Sequence, residues 1–415
     1  MAARPRILAF VMAGGKGTRL EPLTRNRCKP AVPFGGRFRI IDFVLSNLIN
    51  SGIYSVYVLT QFKSQSLVEH IQEAWSIGGV LRDHFVVPVP AQQKTGEYWY
   101  RGTADAIYQN LNLVNDFDPD LVAVFGGDHV FLMDVGHMVD YAHAKKAGVV
   151  VACLPYPVNQ AHSFGVVRID ESWRITGFDE KPANPQPIPG QPDLALVSMG
   201  NYLFEPELLQ RTLDEDGERK DSDHDFGKTI LPQLLAQGVP VYAYDFRRNA
   251  IPGLTEGSNA AYWRDVGTLD SYFEASLDLR AVQPELDLYN SQWPIRTGRS
   301  ALPPPKFVHN VGERVGTALQ SIVCEGTILS GGVVENSLIG RGCRIHSYSH
   351  VDQGVVMDYT EIGRGARIRR CIVDKRVVIP ANDRIGYDPE LDRKRFTVTE
   401  SGIVVIPKNT VVKLP

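Results

Sequence analysis

With 415 residues, 43% of them hydrophobic and 22% charged, the chain has the make-up of a soluble globular protein and is too long for one ordinary core, so about two domains are expected. A formal net charge of −3 excludes nucleic acid as the main partner, because a phosphate backbone calls for a basic surface. Five scattered cysteines (Cys28, Cys153, Cys324, Cys343, Cys371) contain no C-x-x-C pair, which argues against a disulfide framework or zinc site and for a reducing cytoplasm. No stretch reaches the roughly 20 apolar residues that cross a bilayer, so no membrane partner is expected. The first apolar run is short, ends in Gly-Gly and lacks the features of a signal peptide.

That run, Ile7 to Met12, reads as a buried parallel strand. It feeds Ala13-Gly14-Gly15-Lys16-Gly17-Thr18-Arg19-Leu20, a tight turn whose backbone N–H groups lie open to a polyphosphate. Neither a P-loop nor a dinucleotide fingerprint fits, since no Gly-Lys-Ser/Thr occurs and the third glycine is missing. Ile41 to Asn50 predicts a helix stopped by Gly52, and Tyr54 to Thr60 a strand. Ala104, Ile107, Tyr108, Leu111 and Val114 share one face of a predicted helix. Leu121–Phe125 and Val149–Leu154 are further buried strands, the first ending in Gly126-Gly127-Asp128-His129. Such alternation predicts an α/β fold, a Rossmann-like and mostly parallel sheet with ligands beyond the carboxyl ends of its strands. The Gly15 turn and Asp128 then belong on one rim.

Four prolines between Asn184 and Pro192 mark a surface loop, since strand-like Leu194 to Phe204 follows. The domain boundary is expected within Thr297 to Lys306, where Pro303-Pro304-Pro305 stiffens a linker, giving domains at 1–296 and 297–415. Beyond it aliphatic residues recur in trios: Ile322, Ile328, Val334; Ile339, Ile345, Val351; Val356, Ile362, Ile368; Val373, Ile379, Ile385. Steps of six within a trio and five between trios predict a hexapeptide parallel β-helix, whose stackable surface favours a homo-oligomer. Thr397 to Val412 is too irregular to assign.

The ordered set Gly14-Gly15-Lys16-Gly17-Thr18-Arg19, Pro22-Leu23-Thr24 and Lys29-Pro30-Ala31-Val32-Pro33-Phe34-Gly35-Gly36 resembles the signature of the sugar-phosphate nucleotidyltransferases. Phe38 to Asn47, with Asn50-Ser51-Gly52-Ile53, narrows the resemblance to the bacterial glucose-1-phosphate adenylyltransferases. It covers nearly the whole chain and implies ATP and glucose 1-phosphate as substrates, Mg²⁺, a left-handed β-helix, a homotetramer and phosphorylated metabolite effectors. Ala13, Gly14, Gly15, Gly17, Thr18, Gly102 and Thr103 would meet the nucleotide, with the last two opening a helix. Tyr100, Gly165, Glu180, Lys181 and Ser198 would meet the sugar phosphate, while Arg19 and Lys29 would stabilise charge on the phosphoryl groups. Asp128 and Asp265 are the implied magnesium ligands. The bland readings are a turn-capping Asp128, and an Asp265 that caps a helix or pairs with Arg264. His129 has no second histidine at metal spacing and reads as structural or supporting.

Nucleotidyl transfer to a sugar phosphate needs cations and alignment more than acid–base help, because the attacking phosphate, with a second pKa of about 6, is already ionised. Effectors in the resembled family bind between the domains, which makes Arg27, Arg39, Lys375, Lys394 and Arg395 candidates, with Gln61 and Trp99 at positions linked to communication with the substrate site. Arg364, Arg367, Arg369, Arg370, Lys375 and Arg376 concentrate charge on the β-helix, a pattern that is usually a solvated face. Asn26, Pro33 and Lys375 depart from the residues of enteric members, so a monophosphate activator or weak regulation is at least as well supported as sugar-bisphosphate activation. Three alternatives stay open: another nucleotide or sugar 1-phosphate, a non-catalytic regulatory subunit, and a bifunctional acetyltransferase. The last lacks a histidine constellation on the β-helix.

Overall fold

The structure, a computed structural model, describes residues 5–77, 83–94, 96–254 and 260–415. β1 (Ile7–Met12) lies at the centre of a mixed nine-stranded sheet, in parallel register with β2 (Ser55–Thr60) on one side and β4 (Leu121–Gly126) on the other. β3 (Phe85–Pro90) continues the sheet beyond β2. A strand with parallel neighbours on both sides is buried on both faces, which is why it reads as an unbroken apolar run. Its alternate residues serve two cores: Ala9 and Val11 face α1 (Ile40–Asn50), α2 (Gln65–Ala74) and α5 (Val135–Lys145), while Leu8 and Phe10 face the opposite layer.

The helix predicted through 104–114 is two helices, α3 (Thr103–Tyr108) and α4 (Leu111–Phe117). The Asn110 amide donates to the Ala106 carbonyl at 2.8 Å and to the Tyr100 hydroxyl at 2.9 Å. A side chain that bonds its own helix in this way replaces ladder bonds and ends the helix, although the apolar period runs on past it.

The half of the sheet that follows is mostly antiparallel. β5 (Val149–Pro157), longer than its apolar core suggested, pairs with β8 (Leu194–Phe204), which also pairs with β4 and with β6 (Gly165–Ile169). β7 (Ile175–Glu180) forms a hairpin edge with β6, and β9 (Val241–Asp245) runs parallel to β5. The register of β8 shifts between Ser198 and Tyr202, where Gly200 takes φ +71°. α6 (Pro206–Gly217) and α7 (Leu231–Ala236) cover the second core, and α8 (Leu269–Asp278) is opened by Thr268, whose hydroxyl accepts from Ser271 N–H at 3.2 Å.

No helix or strand spans 297–305. From Lys306 short strands stack in parallel ladders as a β-helix. Ile339, Val356 and Val373 stand in one inward column, seventeen residues apart, as do Ile345, Ile362 and Ile379. The first coil corrects the expected register. Val323 and Leu329, not Ile322 and Ile328, align with the inward Ile339 and Ile345, because that coil is one residue shorter. Ile322 instead packs on the core shared by the two domains. The unassigned tail supplies Val404–Ile406, which pairs with Arg367–Val373 and closes the stack after α9 (Pro389–Arg395). Leu338, Val355 and Ile372 face outward onto Tyr272 and Phe273 of α8, so one apolar cluster joins the domains. Among the described residues, no helix is long and apolar enough to cross a membrane.

Candidate active site

A cleft of about 510 Å³ opens where β1 and β4 end and the register of β8 shifts. From β1 come Gly14, Gly15, Gly17 and Arg19; from β4, Asp128 and His129; from the register shift of β8, Ser198, Met199 and Gly200. The break in β8 turns that strand's backbone toward the cleft while its ends stay paired. Gly17 sits at φ +64°, and a Cβ built there would come within 3.0 Å of the Lys29 Cβ, so the glycine loop rests directly on the lysine stem.

Lys29 is the charge centre of the site, with a side chain only 6% exposed. Its ammonium donates to Asp265 Oδ1 at 2.8 Å and to the Asp265 carbonyl at 2.8 Å, and stands 3.2 Å from Asp128 Oδ2. Arg19, mostly exposed, reaches Asp265 Oδ2 at 3.6 Å. His129 Nε2 lies 3.5 Å from Asp265 Oδ1 and 3.7 Å from Asp128 Oδ1. One ligand atom from each of Asp128, His129 and Asp265 can be chosen so that all lie within 4.8 Å of one another, a gap of the size a cation fills. Burial alone would raise the Asp128 carboxyl, yet the Lys29 charge carries it below the usual carboxylate range. Burial likewise opposes the drop at Asp265, which the His129 hydrogen bond and Lys29 impose. The burial that would lower Lys29 is overcome by Asp128 and then Asp265, leaving it raised and charged. Neither bland reading of Asp265 matches its position: Thr268 caps α8, and Arg264 pairs with Glu285 at 2.8 Å.

The opposite end of the cleft is lined by Gly165, Glu180, Lys181 and Ser198. Glu180 and Lys181 pair at 2.9 Å, and the Ser198 hydroxyl accepts from Gly200 N–H at 3.2 Å. A Cβ on Gly165 would come within 2.4 Å of the Phe178 ring and 3.0 Å of Glu180 Oε2, so this glycine is required by its own hairpin partners. Tyr100 is held from both sides by Gln61, its N–H donating to Oε1 at 2.8 Å and its carbonyl accepting from Nε2 at 3.3 Å. Gly102 and Thr103 also line the cleft, but the Ala104 and Asp105 N–H groups donate to the His224 carbonyl at 2.9 and 3.3 Å. The first turn of α3 therefore points much of its donor capacity at protein. Ala13 is buried with its N–H on the Leu59 carbonyl, Thr18 is exposed beside the loop, and Trp99 is exposed; none of the three lines the cleft.

Asp225, Phe226 and Tyr202 line the cleft and escaped the sequence reading. Asp225 accepts from the Thr103 hydroxyl at 3.0 Å and from Gly227 and Lys228 N–H groups at 3.0 and 3.1 Å. Its only sequence cue is the Asp-Phe-Gly turn, which carries no recognised chemistry by itself. His129 was read as supporting and stands with the two aspartates.

The candidate effector residues divide. Arg27 is buried against Asp374 of the β-helix at 2.5 Å, and Arg39 donates to the Ser66 carbonyl. Lys375 pairs with Asp358 at 3.1 Å, as does Arg341 at 2.9 Å. Burial, with the neighbouring Arg39 and Arg27 charges, outweighs Asp358 and brings Lys375 down to about 8. Lys408, lowered by burial and then by Arg27, joins the same group. Arg395 is engaged elsewhere, on Asp383 at 2.6 Å and the Lys413 carbonyl, and Lys394 is exposed on α9. Of the other basic residues of the β-helix, Arg364 lies over the Tyr348 ring, Arg369 stands 3.7 Å from Asp352, and Arg370 donates to the Ser401 carbonyl.

Residues 8–282 match the family model described as nucleotidyl transferase, and residues 303–406 match the one described as GlmU-like, C-terminal hexapeptide. A glucose-1-phosphate adenylyltransferase of Thermus thermophilus is 56% identical over 407 residues, spanning 97% of this chain and 98% of the relative. Its counterpart in Deinococcus radiodurans is 51% identical over 413 residues, 98% of this chain and all of the relative. One from Aliivibrio fischeri is 46% identical over 402 residues, 97% of this chain and 98% of the relative.

Proposed function

The chain belongs to the glucose-1-phosphate adenylyltransferases, enzymes that make ADP-glucose, and we propose that the cleft performs the transfer from ATP with the roles assigned below. An oxygen of the glucose 1-phosphate attacks the α-phosphorus of ATP. The bond to the bridging β-phosphate oxygen breaks, and pyrophosphate leaves with that electron pair. The attacking oxygen is already ionised, so no base is required and alignment with charge neutralisation governs the rate.

The glycine loop through Gly17 carries the polyphosphate, with Arg19 and Lys29 drawing charge from it. Glu180 accepts from sugar hydroxyls, Lys181 binds the sugar's phosphate, and Tyr100 and Ser198 complete that end. Asp128 and Asp265 would hold Mg²⁺, and the residues fit: their carboxylates already bracket one cationic group, the Lys29 ammonium. When bound, the ion neutralises phosphate oxygens and orients them. The bracketing of Lys29 by two carboxylates beside the glycine loop is the observation that carries this reading.

Between the domains, Arg27, Arg39, Arg341, Lys375 and Lys408 form a cationic cluster suited to a phosphorylated metabolite, and Arg27 Nε and Arg341 Nε are buried without hydrogen-bond partners among the described residues. We place the domain division at 296/297, a homotetramer on the β-helix, the product in glycogen synthesis, and the protein in the cytoplasm, in keeping with five free, buried cysteines.

The test is pyrophosphate release with glucose 1-phosphate and Mg²⁺ across ATP, UTP, dTTP and GTP, with phosphorylated metabolites added in turn. ATP should be preferred and one effector should change the rate. Preference for another nucleotide would overturn the adenylyl assignment.

A further inference from the structure

We propose that Lys29 is the resident counter-cation of the metal centre, so that a divalent ion enters only as the lysine leaves and is taken up together with a polyphosphate. The proposal rests on the reading of Asp128 and Asp265 as metal ligands. An ammonium has three N–H donors. All three of Lys29 have acceptors in place: Asp265 Oδ1 and the Asp265 carbonyl, both at 2.8 Å, and Asp128 Oδ2 at 3.2 Å. Bound in this way, Lys29 has no donor left for a phosphate.

The same lone pairs are the ones a metal needs. Oxygen ligands approach magnesium at about 2.0–2.1 Å. Ligand atoms of Asp128, His129 and Asp265 lie within 4.8 Å of one another, and Asp265 Oδ1, 3.5 Å from His129 Nε2, already accepts from Lys29 at 2.8 Å, so an ion held among the three competes with the ammonium for that oxygen. Two cations in contact repel unless anionic charge arrives with the second. A polyphosphate on the glycine loop brings that charge. The Lys29 stem lies against Gly17 of that loop, so its head shares one cleft with any polyphosphate seated there. The site is thus closed to free metal and opened by substrate, and Lys29 reaches the phosphates only when the metal has replaced it.

The experiment is a Mn²⁺ titration followed by electron paramagnetic resonance, with nucleotide-free protein and with α,β-methylene-ATP. Wild type should bind free Mn²⁺ weakly and at least tenfold more tightly with the analogue. Lys29→Met should bind free Mn²⁺ at least tenfold more tightly than wild type, and adding Asp128→Asn should remove that gain. Lys29→Gln, which keeps polar contact with Asp265, should reproduce the gain and guards against a folding defect in the methionine variant. Free Mn²⁺ bound no more tightly by either variant than by wild type would overturn the exchange. If Asp265→Asn in the otherwise wild-type chain leaves Mn²⁺ binding with the analogue intact, the metal assignment itself is wrong and the proposal goes with it. Loss of binding in that variant, with no gain on changing Lys29, refutes the exchange alone.

Discussion

The Arg27–Asp374 pair gives the sharpest stability prediction, because the two partners are not equivalent. Their side chains are 5% and 1% exposed, and they join the catalytic domain to the β-helix. Breaking a buried ion pair by removing one partner costs roughly 3–5 kcal/mol, most of it from the charge left behind. Asp374→Asn strands a guanidinium among cations, since Arg39, Lys375 and Lys408 all feel the Arg27 charge. Arg27→Met strands a carboxylate that still accepts from Lys375 N–H at 2.6 Å and removes one like charge from the cluster. Asp374→Asn should therefore fall at the upper end of the range and Arg27→Met at or below the lower.

Unfolding entropy of about 2.1 cal/mol/K per residue gives close to 0.9 kcal/mol/K for 415 residues, so a loss of 3 kcal/mol lowers the midpoint by about 3–4 °C if the chain unfolds as one unit. If residues 297–415 unfold alone, the same loss moves their transition by about 12 °C. Calorimetry on both single variants and on Arg27→Met/Asp374→Asn reads the order, the coupling and the size of the unit. Sulfate should restore much of the Asp374→Asn loss, by standing where the carboxylate stood. Equal losses in the two single variants, or no rescue by sulfate, would refute the cationic-cluster argument.

Three further outcomes follow from the same geometry. Asp265→Asn should lower kcat by roughly 10²–10³-fold, the scale of one lost preorganised charge partner, and EDTA should abolish wild-type activity with Mg²⁺ restoring it. Full activity after EDTA would remove the metal from the reaction. Lys181→Ala should raise KM for glucose 1-phosphate by roughly 10–100-fold, as expected for one charged hydrogen bond, with KM for ATP unchanged. A parallel rise for ATP would misplace the sugar end of the cleft. Lys375, brought down from 10.5 to about 8, is less protonated folded than unfolded between those values, so the ligand-free chain gains stability as pH rises through that window. An anion favours the ammonium, so sulfate affinity should fall on going from pH 7 to 9. Lys375→Arg should flatten that fall in a calorimetric titration.

What the sequence discloses here depends on whether the controlling contact is local. β1 and β4 were legible because strands buried on both faces must be apolar throughout, and the seventeen-residue period survives because every coil repeats one environment. The same period misled at the first coil, where Ile322-Val323 and Ile328-Leu329 each offer two adjacent aliphatics. Neighbouring strand residues point to opposite faces. Only the shorter coil decides that Val323 and Leu329 turn inward while Ile322 meets the other domain, and that length is set by pairing with the next coil. Asn110 shows the reverse: a helix ended by one side chain whose partners, Ala106 and Tyr100, no period reveals.

The site was legible to the degree that its residues sit in motifs attached to strand ends, and the motifs brought Gly17, Lys29, Asp128, Glu180, Lys181 and Asp265 into one cleft. Asp225 was missed because its partner at the cleft, Thr103, lies 122 residues away in the chain. The connection of Asp265 to the β-helix was invisible for the same reason. Asp265 lies three residues before Thr268, which opens α8, and α8 packs Tyr272 and Phe273 on the outward Leu338, Val355 and Ile372 of the β-helix. Asp270, in the first turn of α8, accepts from the Thr399 hydroxyl at 3.1 Å and from Ser401, in the segment the sequence left unassigned. The β-helix therefore grips the helix that carries Asp265 at its root. The contact between the β-helix and α8 thus lies within five residues of the carboxylate that Lys29 holds.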